Sequence, residues 1–142
     1  MSTPAILYVE DDPNDVFLLT RAFRKALLLA PVQHVANGQE ALNYLSGAGP
    51  YADRRRFPCP ALLLLDLKVP LLDGFQVLSW ARAQQQWKRL PVFVLSSSNH
   101  SADMEQALQL GANRYFVKTP TFGDVAASVK ALLEKGSKEN GK

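Results

Sequence analysis

The stretch Leu62-Leu63-Leu64-Leu65-Asp66 constrains this chain more than any other. Its apolar run is far too short to cross a bilayer, which takes ~20 apolar residues. It reads as a strand buried on both faces, the pattern of a parallel sheet covered by helices on each side. Asp66 ends the run, so a carboxylate stands at the carboxyl end of a central strand. Open α/β sheets bind ligands at that edge. Pro70 and the pair Asp73-Gly74 follow, residues of turns and helix starts.

The rest of the chain repeats this strand-then-helix pattern. Strands are expected at Ala5 to Val9, Val32 to Ala36, Ala61 to Leu65, Leu90 to Leu95 and Arg114 to Val117. Between them, apolar residues recur at three- and four-residue steps: Val16, Phe17, Thr20, Phe23, Ala26 and Leu27, then Gln39 to Leu45, then Phe75, Val77, Leu78 and Ala81. Met104, Ala107, Leu108 and Leu110 mark a fourth helix, and Val125, Val129, Leu132 and Leu133 a last one. Asn37-Gly38 reads as a turn, Gly47 and Gly111 as helix ends, and Ser98 or Asn99 as the cap of the fourth helix. Trp80 and Trp87 read as helix packing and helix-end cover, and His100 as a helix-start residue. Alternation of this kind implies a doubly wound parallel sheet with helices on both faces.

At 142 residues the chain is expected to form one domain, residues 1–135, with a flexible polar tail at 136–142. Met1-Ser2-Thr3-Pro4 has no signal-peptide character, and no run is long enough for a membrane span, so the sequence points to the cytoplasm. Cys59, the single cysteine, cannot form an internal disulfide and reads as a loop thiol. The net charge of +3 is mild, and basic residues are not interleaved with aromatics, so no nucleic-acid partner is expected. The run Arg54-Arg55-Arg56 lies in the long Gly47–Pro60 connection and reads as a solvated loop or a partner contact.

Chemistry enters at the strand ends. Glu10, Asp11 and Asp12 follow the first strand, Asp66 ends the third, Ser96 the fourth and Lys118 the fifth. Adjacent carboxylates repel, so a cation or a lysine should offset them. Asp12 before Pro13 is also explained as a helix N-cap, whereas Glu10 and Asp11 come too early for that. His34 lacks a second His or Cys nearby and reads as a strand-surface residue. All these strand ends lie on one edge of a parallel sheet. Acids from the first and third strands suit a hard divalent cation such as Mg²⁺, and Lys118 and Ser96 suit negatively charged oxygens. That set fits phosphoryl transfer. No glycine-rich phosphate loop is present, which leaves Asp66 itself as the candidate phosphoryl acceptor.

These features resemble the receiver domains of two-component response regulators. The likeness runs from about Ala5 to Leu133 and rests on Val9-Glu10-Asp11-Asp12, Asp66 with Pro70 and Asp73-Gly74, Ser96, Gly111-Ala112, Tyr115 and Lys118. It implies a flavodoxin-like (βα)5 fold with strand order 2-1-3-4-5. It also implies that Asp66 accepts phosphate from a histidine kinase or a phosphotransfer protein. By the same resemblance, Asp11, Asp66 and the backbone carbonyl of Lys68 bind Mg²⁺, with Glu10 acting through water. Ser96 and Lys118 hold the phosphoryl group, and Ser96 with Tyr115 switches the face made by the fourth helix, fifth strand and fifth helix. The chain is then a signalling switch rather than an enzyme, whose output is a downstream protein partner or phosphorelay.

Thr119 departs from the family, which usually has a cis-proline directly after the lysine. A cis bond before Thr119 would cost about 2.5–4 kcal/mol, so either the bond is trans or the loop solves the geometry otherwise. The Gly47–Pro60 loop is similar to that of stand-alone, phytochrome-associated response regulators, several of which dimerise, so a phytochrome-like kinase and a homodimer are carried as expectations. The alternative is a degenerate receiver that binds partners without phosphorylation. An Asp-dependent phosphatase is disfavoured because Lys68 occupies the position where the leaving-group acid would stand. A flavin-binding module lacks its phosphate-cradling loop.

Overall fold

Side-chain alternation along the strands sorts the core into two layers. Leu7, Val9, Leu63, Leu65, Val92 and Val94 point to one face, and Ile6, Tyr8, Leu62, Leu64, Phe93 and Leu95 to the other. Both faces are buried, as the unbroken leucine run requires. The computed structural model describes residues 4–140. Met1-Ser2-Thr3, with the expectation about a leader, and Gly141-Lys142 at the end of the expected tail lie outside the described residues.

Five parallel strands, β1 (Ala5–Val9), β2 (Val32–Val35), β3 (Pro60–Asp66), β4 (Val92–Ser96) and β5 (Arg114–Val117), pair in the order β2-β1-β3-β4-β5. The helices are α1 (Pro13–Lys25), α2 (Gly38–Ser46), α3 (Gly74–Ala83), α4 (Ser101–Gln109) and α5 (Gly123–Asn140). Leu19 and Phe23 of α1 and Val125 and Val129 of α5 cover one face of the sheet; Ala41 and Leu45 of α2, Val77 and Leu78 of α3 and Ala107 of α4 cover the other. This is the expected doubly wound, flavodoxin-like arrangement. No helix among the described residues is long and apolar enough to cross a membrane.

Several boundaries differ from the sequence reading. Asn37-Gly38 is a helix start, not a free turn: the Asn37 side chain accepts from Glu40 N at 2.7 Å, and Gly38 opens α2. Gly47, with φ +73°, ends that helix in the left-handed conformation, as expected. Neither Ser98 nor Asn99 is the N-cap of α4; His100 holds that position without a side-chain bond. β4 begins at Val92, because Pro91 has no N–H to add to the ladder, and β2 stops at Val35, one residue earlier than expected. Leu108 fits the apolar spacing of α4, yet it is half exposed. The helical backbone of α5 continues to Asn140, beyond the expected start of the polar tail at Gly136.

The Gly47–Pro60 connection is ordered from within. Gly49–Ala52 forms a short 3-10 helix, and Tyr44, Tyr51 and Phe57 pack their rings together with centroids 4.9–6.0 Å apart. Arg54 is a structural clamp rather than a solvated charge, donating to the carbonyls of Tyr44 (2.8 Å), Leu45 (3.0 Å) and Phe57 (3.3 Å). Arg55 and Arg56 remain exposed, as does Cys59. Trp87 covers the end of this region, its indole N–H donating to Leu45 O at 3.0 Å.

Candidate functional site

The site lies on the carboxyl edge of the sheet, where β1, β3, β4 and β5 end. Backbone geometry places each group. Glu10 follows β1 and its N–H bonds to Val35 O of β2 at 3.0 Å. Asp66 is the last residue of β3, and α3 starts against it: Gly74 N donates to Leu67 O at 2.9 Å. A Cβ on Gly74 would stand 2.6 Å from Asp66 O, so only glycine allows that approach. The helix start itself is held by a reciprocal cap between Asp73 and Gln76. Ser96 ends β4, and Lys118 N bonds to Ser96 O at 2.7 Å, joining the ends of β4 and β5.

Glu10, Asp11 and Asp66 bring carboxylate oxygens within 4.8 Å of one another. Glu10 and Asp66 are buried and Asp11 is exposed, so the cluster opens to solvent on one side. Asp12 caps α1 instead, accepting from Asn14 N at 2.9 Å, with Pro13 at the first helical position. The Lys68 side chain is exposed, and its N–H donates to Asp66 Oδ1 at 3.0 Å.

Lys118 faces the acids. Its ammonium donates to Glu10 Oε1 at 2.8 Å, Asp15 Oδ2 at 2.8 Å and Asp66 Oδ2 at 2.9 Å. These are the only salt bridges among the described residues. No cis peptide bond occurs among the described residues, so Lys118 reaches the acids with a trans bond to Thr119. Burial opposes its charge, but the bonds to Asp15, Glu10 and Asp66 outweigh burial and hold the ammonium above its ordinary range. Burial, then the Asp66 carboxylate, pushes Glu10 up to about 7 against the pull of Lys118. Four carboxylates with one ammonium leave an excess of negative charge that a hard divalent cation would neutralise. Three clustered carboxylates are a donor set suited to such an ion.

Ser96 is fully buried, and its hydroxyl accepts from Ser98 N at 3.0 Å. Ser98 then ties three elements. Its hydroxyl donates to Asp103 Oδ2 of α4 at 2.6 Å and accepts from His100 N, and its carbonyl accepts from the Tyr115 hydroxyl at 2.9 Å. Half-buried Tyr115 is thus turned onto the β4–α4 loop.

Sequence reasoning brought Glu10, Asp11, Asp66, Ser96 and Lys118 to this edge, and the structure places them there; Tyr115, expected on the switch face, lies within β5 with its hydroxyl on Ser98 O of the β4–α4 loop. It missed Asp15, although a carboxylate four residues past Asp11 in the first turn of a helix was a readable signal. It also missed Tyr8, buried in the core, whose hydroxyl donates to Glu10 Oε1 at 3.3 Å. His34 is exposed on its strand as expected, yet its Nε2 lies 2.6 Å from Glu10 O and donates to it.

Residues 6–130 match the family described as Response regulator receiver domain. Response regulator Rcp1 of Synechocystis is 30% identical over 127 residues, which cover 89% of this chain and 84% of that protein. The phosphorylated cyanobacterial phytochrome response regulator RcpA superimposes with a TM-score of 0.80 at 33% identity, covering 94% of this chain and 93% of that one. Response regulator RPA3017, in red light signaling of R. palustris, superimposes with a TM-score of 0.82 at 34% identity, covering 91% and 90%. Rcp1 has also been solved in a Mn²⁺-bound form. Fold, acid cluster and comparisons agree: the chain belongs to the response regulator receiver domain family of two-component signalling and is similar to its phytochrome-associated members.

Proposed function

We propose that the chain is a phosphorylation-dependent switch with Asp66 as the phosphoryl acceptor. The observation that carries this reading is the ion pair between Lys118 and Asp66 beside a three-carboxylate cluster at the mouth of β3. An Asp66 oxygen attacks the phosphorus of a phosphohistidine. The P–N bond breaks, its electron pair stays on the imidazole nitrogen, and an acyl phosphate forms. Glu10, Asp11, Asp66 and the Lys68 backbone carbonyl are the residues that would hold Mg²⁺. When bound, that ion offsets the charge of the phosphoryl oxygens. Lys118 donates to one of those oxygens. Ser96 turns its hydroxyl to another and moves away from Ser98 N. Because Ser98 also holds Asp103 and Tyr115, that movement reaches α4 and β5. Phosphate therefore biases the chain toward the arrangement it binds better.

RcpA and RPA3017 support a phytochrome-like histidine kinase, or a phosphotransfer protein, as donor. The output partner would bind the face of α4, β5 and α5, where Leu108 and Val117 are exposed; the same face would serve a homodimer. Action in the cytoplasm follows from such partners. The reach of Lys118 past Thr119 weighs against a phosphorylation-independent module.

The test is intact mass after incubation with Mg²⁺ and acetyl phosphate, beside Asp66→Asn. A single phosphoryl adduct that the variant lacks supports the reading. Absence of an adduct, together with no binding of beryllofluoride, overturns it.

A further inference from the structure

The Lys118 ammonium has three N–H donors and three carboxylate partners, so its donors are all engaged. Two of the partners change on activation. Asp66 becomes an acyl phosphate, and Glu10 belongs to the acid cluster that would take up the cation. Asp15 does neither. It stands outside that cluster, in the first turn of α1, where Pro13 and the Asp12 cap fix the backbone and the helix dipole favours a carboxylate. Lys118, in contrast, has a long flexible stem and leads into a loop with Thr119 in the next position. The bond between them joins residues 103 apart in the chain and links α1 to the end of β5.

We propose that Asp15 is a positioning residue for Lys118. It keeps the ammonium over the crevice while Asp66 and Glu10 turn to the phosphoryl group and the cation. One N–H stays on Asp15, and the donor released by Asp66 goes to a phosphoryl oxygen. The inference rests on the phosphoacceptor reading above and adds to it a tether on a different element.

The experiment compares wild type, Asp15→Ala and Asp15→Asn. Mg²⁺ alone is titrated by calorimetry, and beryllofluoride with saturating Mg²⁺ is titrated by fluorine NMR. Asp15→Ala should weaken beryllofluoride about tenfold, the loss of one charge-assisted hydrogen bond, and leave Mg²⁺ within about twofold. Asp15→Asn keeps an acceptor oxygen and should fall between wild type and Asp15→Ala. It is nearly isosteric, so it carries the test if Asp15→Ala fails to fold. Equal losses for both ligands would mean a merely structural role and overturn the proposal. Unchanged beryllofluoride affinity would overturn it too. So would a gain, the result if Asp15 acted only as a charge repelling the phosphoryl group. Wild type that binds no beryllofluoride overturns the phosphoacceptor reading and this inference with it, whereas variants that match a binding wild type overturn this inference alone.

Discussion

The Lys118 ammonium lies 2.9 Å from Asp66 Oδ2, although the two are 52 positions apart in the chain and the whole of β4 lies between them. The contact spans three strands because each ends on the same edge, and a lysine stem is long enough to lean across the middle one. It is also the pair in which positive charge meets the proposed reactive group.

Replacing Lys118 with alanine removes the one cation from among Glu10, Asp15 and Asp66. Breaking a buried ion pair on one side costs about 3 kcal/mol. The cation-free variant should therefore unfold at a lower temperature than wild type, and Mg²⁺ should recover most of the difference. Thermal unfolding with and without Mg²⁺ checks this; an unchanged midpoint would contradict it.

Glu10 carries the pH dependence. Its folded value near 7 lies above its ordinary 4.5, so folding favours the protonated acid. That contribution is fully present below about pH 4.5 and is lost as pH rises through about 7. Without a cation, stability should fall across this window by about 3 kcal/mol, at 1.36 kcal/mol per unit. Cation binding has the opposite slope, because a ligand carboxylate must be ionised. Mg²⁺ affinity should rise about tenfold per pH unit up to about 7 and then level off, as calorimetric titrations at several pH values would show.

Ser96→Ala should still form the phosphoryl adduct, since Lys118 and the acids are untouched. It removes the acceptor for Ser98 N and the hydroxyl that would engage phosphate. Amide shifts in α4 and β5 on adding beryllofluoride and Mg²⁺ should then largely vanish. A full response in the variant would place the coupling elsewhere.

Arg54→Ala tests the clamp in the Gly47–Pro60 loop. The carbonyls of Tyr44, Leu45 and Phe57 and the Tyr44 ring, 5.7 Å from the Arg54 guanidinium carbon, would lose this cation, although Tyr44 O keeps the Gly47 N–H and Leu45 O the Trp87 indole. Losing hydrogen bonds from a charged donor costs about 2–3 kcal/mol here. The thermal midpoint should drop by roughly 5–10 °C. Adduct formation with acetyl phosphate should stay at the wild-type level, because the loop lies outside the acid cluster.

Much of this protein was legible along the chain because its signals are local. Apolar runs of strand length alternating with helical spacing specify a parallel sheet, and a parallel sheet puts every strand's end on one edge. Asp66, Ser96 and Lys118 could be brought together on that basis, since each closes a run. Helix caps were legible only where one residue decides them. Asp12 and Asp73 cap as such residues do, whereas Ser98 spends its hydroxyl on Asp103 and leaves the cap of α4 to His100. What the tertiary structure alone decided are contacts between side chains on separate elements. The pairing of Asp15 with Lys118 depends on how α1 sits against the sheet, and the change of Arg54 from a surface charge to a clamp depends on how its loop folds back on α2. Both are set by packing over distances at which sequence spacing carries no direction, and so they appear only when the helices have docked.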